Sequence, residues 1–144
     1  MSPHAGSITQ LFLQVSIAAS AIGAFVGGYT LMHPMGSGAL TGLSPDPASP
    51  TGVRALGGAM LLAHAAALAA LGQAPGIGSC MAAGLGTAWF GAAAGRGIAV
   101  VVERGHTPKA LLRMGWEGAM GAVLWAPLWN YLRLIRHGAL RGAI

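Results

Sequence analysis

The sequence predicts an all-α integral membrane protein, an antiparallel bundle of four transmembrane helices. Three observations carry that prediction. Charged residues make up 8% of the chain, against about 25% in an ordinary soluble domain. Apolar residues make up 54%, and mean hydropathy is +0.63. The apolar residues also fall in four runs, each near the ~20 residues that cross a hydrocarbon core about 30 Å thick. A soluble domain of 144 residues would need far more charge to cover its surface. A disordered chain would need low hydrophobicity and high charge. Strands fit poorly, because a membrane barrel alternates polar and apolar residues over segments of about ten. These runs are continuous and rich in alanine, the best helix former.

The first run covers residues 11–32. Residues 1–10 contain no Lys or Arg, whereas a signal peptide has a positive start and a shorter apolar core. The run therefore reads as a retained helix, and Pro34 stops it. Residues 33–51 form the longest loop, which includes Ser44-Pro45-Asp46-Pro47-Ala48-Ser49-Pro50. Prolines this dense cannot lie in a helix interior. The second run, 52–71, has Arg54 at its start and His64 near its middle. Residues 72–78, with Pro75, read as a short turn, and short connections imply antiparallel neighbours.

The third run, 79–102, carries Arg96, and a charged loop follows at 103–109. The fourth run, 110–132, carries Arg113 and Glu117. Pro127 inside it removes one helical hydrogen bond and predicts a kink. Trp116, Trp129 and Tyr131 stand toward the ends of this run, where aromatic belts sit. Trp89 is nearer the middle of the third run and reads as packing. Residues 133–144 form a basic tail, and the chain is one domain, 1–144.

Lys and Arg number 8 and Asp and Glu number 3, giving a pI near 10.8. In a soluble protein that balance would suggest nucleic acid. Here the basic residues are sparse and stand at the edges of apolar runs, where they set topology and grip anionic lipid. No nucleic-acid partner is expected. Arg133, Arg136 and Arg141, with His137, recur at helical spacing and read as a basic face for lipid or a partner subunit. With Arg54 and Arg113 held inside the bundle, the positive-inside rule puts both termini in the cytoplasm. Cys80 is the single cysteine, so no intrachain disulfide and no multi-cysteine zinc site is expected.

Glycine numbers 24, much of it inside the runs. Lipid supplies no hydrophobic drive between helices, so small residues that let backbones approach supply the packing. The candidates are Gly23-x-x-x-Gly27, the steps Ala55, Ala59, Ala63 and Ala67, Gly91-x-x-x-Gly95 and Gly118-x-x-x-Ala122.

Antiparallel winding brings Arg54, Arg96, Arg113 and Glu117 toward the side of the proline-rich loop. A charge inside the membrane costs roughly 2.5–3.5 kcal/mol on insertion scales, so each needs a partner. Glu117 is expected to pair with Arg96 or Arg54. Arg113, one turn before Glu117, shares its face. This cluster is either a pocket for a small anionic or amphipathic molecule or a structural clasp with snorkelling arginines. His64 lies among small residues, Leu62-Ala63-His64-Ala65-Ala66, which leave room for a planar macrocycle. One histidine can ligate a chlorophyll-type magnesium or one side of a haem, although a histidine bonded to a neighbouring helix is the plainer reading. No cofactor is otherwise predicted. No His/Glu/Asp cluster has metal spacing, and three acids do not support a Ser/His/Asp set.

Arg54-Ala55-Leu56-Gly57-Gly58, Gly95-Arg96 and Glu117 resemble the pattern of the domain-of-unknown-function 4345 family, small four-helix bacterial membrane proteins. The likeness covers roughly residues 10–133, with Leu56 where the family pattern has an aromatic residue. It implies four spans in the bacterial inner membrane and a shared polar cluster, and no activity. The expected role is a non-catalytic accessory or structural subunit of a larger membrane complex. The alternatives are a binder or carrier of a small anionic or amphipathic molecule, and pigment or haem binding through His64.

Overall fold

The computed structural model describes residues 3–38, 50–102 and 107–141, with side chains over 7–38, 50–102 and 107–136. Among the described residues the chain is all-helical. Four long helices follow one another: α1 (Pro3–Met32), α2 (Thr51–Gln73), α3 (Pro75–Val102) and α4 (Pro108–Arg141). Ser7–Met32 of α1, the whole of α2 and the whole of α3 are long and apolar enough to cross a membrane. The expected fourth span, 110–132, lies in α4, which is long enough at 34 residues but is not among those three. The reason is composition: Glu117, Asn130, Pro127 and three tryptophans dilute its aliphatic residues.

Helix limits also differ from the sequence reading. The turn expected at 72–78 shrinks to Ala74, the single residue between α2 and α3. The Ala74 N–H donates to the Ala70 carbonyl at 2.8 Å. Pro75 then begins α3, where its missing N–H has no helical partner to lose. A side chain on Gly78 would strike the backbone of Ala70 and Leu71, so glycine there permits the tight return. Most of the expected basic tail is helix, since α4 continues through Pro127 to Arg141. Residues 39–49 of the proline-rich loop, residues 103–106, and the side chains of His4, His137 and Arg141 lie outside the described residues.

α1 packs most extensively on α2, and α3 on α4, with α2–α3 and α1–α4 closing the ring. The α1–α2 crossing rests on two glycines in mutual backbone contact. A Cβ on Gly27 would lie 2.9 Å from the Gly57 carbonyl oxygen, and one on Gly57 would lie 2.9 Å from that of Gly27. Gly91, Gly95 and Gly118 meet nothing within 4 Å. The motifs proposed on α3 and α4 therefore face away from this crossing, and those two helices meet through Gly86 and Gly121 instead.

A hydrophobic core of Ala19, Leu71, Ala82, Met120 and Leu124 fills the end of the bundle near the α2–α3 turn. Two polar contacts bridge the helices. Asn130 Nδ2 donates to Thr9 Oγ1 at 2.9 Å, and Trp125 Nε1 donates to Thr87 Oγ1 at 3.0 Å.

Candidate functional site

Toward the other end, the space between the helices stays open as a cleft of about 410 Å³. Leu56, Ala59, Met60, Ala63 and His64 of α2 form one wall. Leu85, Ala88, Trp89, Ala92 and Arg96 of α3 form the second, and Arg113, Trp116 and Glu117 of α4 the third. Val26 of α1 stands behind them. The walls are apolar except at one end, which holds Arg96, Arg113 and Glu117. The helical repeat explains the alignment: the α2 residues recur every three or four positions, as does the series Leu85, Ala88, Trp89, Ala92 and Arg96 on α3, so each set forms one face.

Glu117 and Arg96 form the electrostatic centre. Arg96 Nε donates to both carboxylate oxygens of Glu117, at 2.7 and 2.8 Å. The Glu117 side chain is 8% exposed and that of Arg96 27%. A carboxylate this buried would be costly alone, and the charge-assisted bonds from arginine offset that cost. Arg113 lies one turn before Glu117 at the same end. Its Nη2 donates to the Gly38 carbonyl at 2.8 Å, tying the segment after α1 to the start of α4. That segment is itself folded: the Gly36 N–H donates to the His33 carbonyl at 3.1 Å, and Ser37 Oγ donates to the Pro34 carbonyl at 2.9 Å.

Arg54 does not join this group. Its Nη1 reaches the Leu31 carbonyl at 3.4 Å, in the last turn of α1. The Gly27–Gly57 crossing presses the start of α2 against the end of α1, so an arginine one turn earlier faces the terminal carbonyls of α1. A cation suits that end of a helix dipole. Arg54 is thus a cap-like contact between α1 and α2, and the expected four-member cluster reduces to Arg96, Arg113 and Glu117. Arg133 and Arg136 are exposed on α4, away from the cleft.

His64 sits at the apolar end of the cleft with both ring nitrogens engaged. Nδ1 donates to the Met60 carbonyl at 2.8 Å, which leaves Nε2 to accept from Trp89 Nε1 at 3.1 Å. The two rings meet edge to face, with centroids 6.1 Å apart. Only a glycine at position 23 leaves room for the imidazole, since a Cβ there would overlap the His64 ring. A haem iron or chlorophyll magnesium at Nε2 would have to displace Trp89. Among the described residues, no three His, Cys, Asp or Glu side chains could hold a metal ion together.

Sequence reasoning missed the Trp89–His64 bond. Trp89 and His64 are 25 residues apart, and neither has a local pattern that points to the other. It also missed the Arg113–Gly38 tie, because a carbonyl acceptor leaves no mark in a sequence. Comparison with protein-family models, curated proteins and solved structures gives no match. The resemblance noted above rests on the residues quoted for it.

Proposed function

We propose that the chain is a non-enzymatic four-span protein of the bacterial inner membrane whose cleft holds a small amphipathic molecule. The observation that carries this reading is the cleft of about 410 Å³ with apolar walls and one charged end. A structural clasp between Arg96 and Glu117 needs no open volume beside it. Pockets of ~300–1,000 Å³, mostly apolar with a few placed polar groups, are the usual form of a small-molecule site.

An antiparallel bundle is supported by numbering. Gly23 lies against His64 and Gly27 against Gly57, so later residues of α1 meet earlier residues of α2. α4 is read as the fourth span because its polar groups turn inward and are bonded. Glu117 meets Arg96 and Asn130 meets Thr9, while Leu112, Trp129 and Leu132 face outward. Both termini are placed in the cytoplasm, where Arg133 and Arg136 suit anionic headgroups. The resemblance to the domain-of-unknown-function 4345 family agrees with four spans and adds no activity.

The test is native mass spectrometry of the protein extracted from its own membrane in mild detergent. The expected spectrum shows a bound small molecule on the wild type and none on A63F, which fills the cleft. Identical bare spectra for the two would sink the reading. A Soret or Qy band in the same sample would instead favour a macrocycle at His64.

A second reading, an accessory subunit, is favoured by Gly84, Gly91 and Gly95 on α3 and Gly115 and Gly118 on α4. Nothing lies within 4 Å of where their side chains would be, and in lipid such faces admit another helix. Migration of the chain with a larger complex on a native gel would support it.

A further inference from the structure

We infer that the outer face of α4 holds one anionic phospholipid, with an acyl chain in an aromatic groove and its phosphate on Arg133 and Arg136. This rests on the reading of α4 as a membrane span and not on the reading of the cleft. It goes beyond a basic tail resting on a charged surface, because it gives the lipid a seat.

The seat is an apolar groove of about 380 Å³. Ala122, Trp125, Ala126 and Trp129 of α4 line it, with Phe12 of α1 and Phe90 of α3. Each residue of a helix advances about 100° around its axis. Ala122, Ala126 and Trp129 therefore stand roughly opposite Glu117, Met120 and Leu124, which are buried. The groove thus lies on the side of α4 turned away from the core, and Trp129 there is 67% exposed. Two of its rings are held in place. Trp125 Nε1 donates to Thr87 Oγ1 at 3.0 Å. The Phe90 ring fills the space left by Gly121, where a Cβ would come within 2.7 Å of it.

The head group follows from what lies in line with the groove. Ala122, Ala126, Trp129, Arg133 and Arg136 recur every three or four residues, so they share one face. Arg133 is about 6 Å beyond Trp129 along the axis, and Arg136 about 10 Å. Both arginines are exposed. Glu117 is the one carboxylate side chain among the described residues. It lies about 24 Å from Arg133 along α4 and is bonded to Arg96. The end of the groove is therefore positive, and guanidinium groups suit phosphate oxygens. Trp129 and Tyr131 stand where an aromatic belt marks the headgroup level. A phosphate at Arg133 then places its acyl chain along Trp129, Ala126 and Ala122, toward the bilayer middle.

A protein helix fits this groove less well. Close helix contact in lipid uses small residues, and here four aromatic rings line the groove. Two copies of the chain share one orientation in the membrane. Packing α4 against α4 would set Arg133 and Arg136 against their own counterparts, and like charges so placed are costly. A flexible acyl chain meets neither obstacle.

Tryptophan fluorescence reads the site, because Trp125 and Trp129 line the groove whereas Trp89 and Trp116 line the cleft. The full chain would be placed in phosphatidylcholine nanodiscs, with rising fractions replaced by phosphatidylglycerol brominated on its acyl chains. A parallel series would use brominated phosphatidylcholine. The difference between the chain and W125F/W129F isolates the two groove tryptophans. Their quenching is expected to reach half its limit at a fraction of phosphatidylglycerol about tenfold lower than of phosphatidylcholine, since one basic residue at the headgroups is worth about fivefold. R133Q/R136Q, at exposed positions, is expected to bring the two lipids level. K109Q removes a cation at the other end of α4 and is expected to keep the preference. A122F, which crowds the groove, is expected to weaken phosphatidylglycerol by about fivefold with both arginines in place.

Equal response to the two lipids in the wild type, or a preference that K109Q lowers as much as R133Q/R136Q does, would overturn the arginine site. A preference untouched by A122F would overturn the groove as the seat of the chain. Selective quenching confined to Trp89 and Trp116 would put the lipid elsewhere and overturn the whole assignment. So would an absence of quenching at Trp125 and Trp129 by either lipid, and the protein mass per disc then gives the reason. A dimer would mean that a second copy covers the face, and a monomer would mean that α4 does not span the bilayer.

Discussion

The two ends of the bundle use the same small vocabulary of residues to opposite effect. Near the α2–α3 turn, Leu71 and Leu124 point inward and are the largest fully buried side chains. They fill the space between the helices together with Ala19, Ala82 and Met120. Toward the other end, Ala59, Ala63, Ala88 and Ala92 of α2 and α3 stay exposed and line a cleft. Leu85 and Trp89 border both regions. Alanine thus closes a gap where a leucine completes the layer, and leaves one where no longer side chain fills the space. A small residue permits close approach, and the partner's side chain decides whether the approach happens.

The largest expected effect tests what holds both ends together. Gly57→Leu puts a side chain against the Gly27 carbonyl and the backbone of Thr30 and Leu31, none of which can rotate away. A loss of about 3 kcal/mol or more is expected. It would be measured as the shift in unfolding when SDS is titrated into mixed micelles and helicity is followed by circular dichroism. Gly91→Leu, at a position with open space around it, is the control and is expected within about 0.5 kcal/mol of wild type. A mild Gly57→Leu would break the view that backbone contact sets the α1–α2 crossing.

Next is the ion pair, which belongs to the cleft end alone. Arg96→Ala leaves a buried carboxylate without its partner and should cost about 3 kcal/mol in the same titration. Glu117→Ala leaves an arginine that is already a quarter exposed and can snorkel, so about 1 kcal/mol is expected. The double variant should fall well short of the sum, which is how coupling is read. Equal costs for the two single variants would mean that burial of Glu117 is not what makes the pair matter.

These differences also show where the sequence was legible. The helices were, because length, apolar content and proline positions act locally: Pro34 follows α1 and Pro75 opens α3. The Arg96–Glu117 pairing was legible as one of two options, since isolated charges in apolar runs must find partners and few exist. Arg54 was misplaced because depth alone ranked it with the others, whereas its direction depends on how Gly57 seats α2 against α1. A pocket at the polar cluster was one of two readings, but the apolar walls of the cleft were not legible. They depend on how three helices stand relative to one another, and the four-residue steps on α2 look the same whether they meet a neighbour or a void. The α3 motif shows the converse: Gly91-x-x-x-Gly95 reads like a packing seam and faces open space.

At the packed end, Leu124→Ala removes a fully buried side chain. In lipid the transfer term is small, and lost packing dominates. A cost of about 2 kcal/mol is expected in the SDS titration. Leu56→Ala, at the cleft rim, should change stability by less than about 0.5 kcal/mol. Similar costs for the two would erase the distinction between a filled end and an open one.

The smallest effect makes the sharpest comparison. Ala63→Phe and Ala82→Phe make the same chemical change on adjacent helices. Ala82 is fully buried in the core, so a phenyl ring there must force its neighbours apart, at about 2 kcal/mol. Ala63 borders the cleft, and a ring there can enter existing volume in an ordinary rotamer. It loses no hydrogen bond, because Trp89 and His64 bond each other rather than any group on Ala63. Neutrality or a gain of up to about 1 kcal/mol is expected, with the helical signal unchanged and the SDS midpoint equal or higher. If Ala63→Phe destabilised as much as Ala82→Phe, the α2–α3 wall would be closely packed at position 63, and no ligand could lie there. If it stabilised while removing the bound molecule, the empty volume would be retained at a cost to stability, as expected of a site kept open for an occupant.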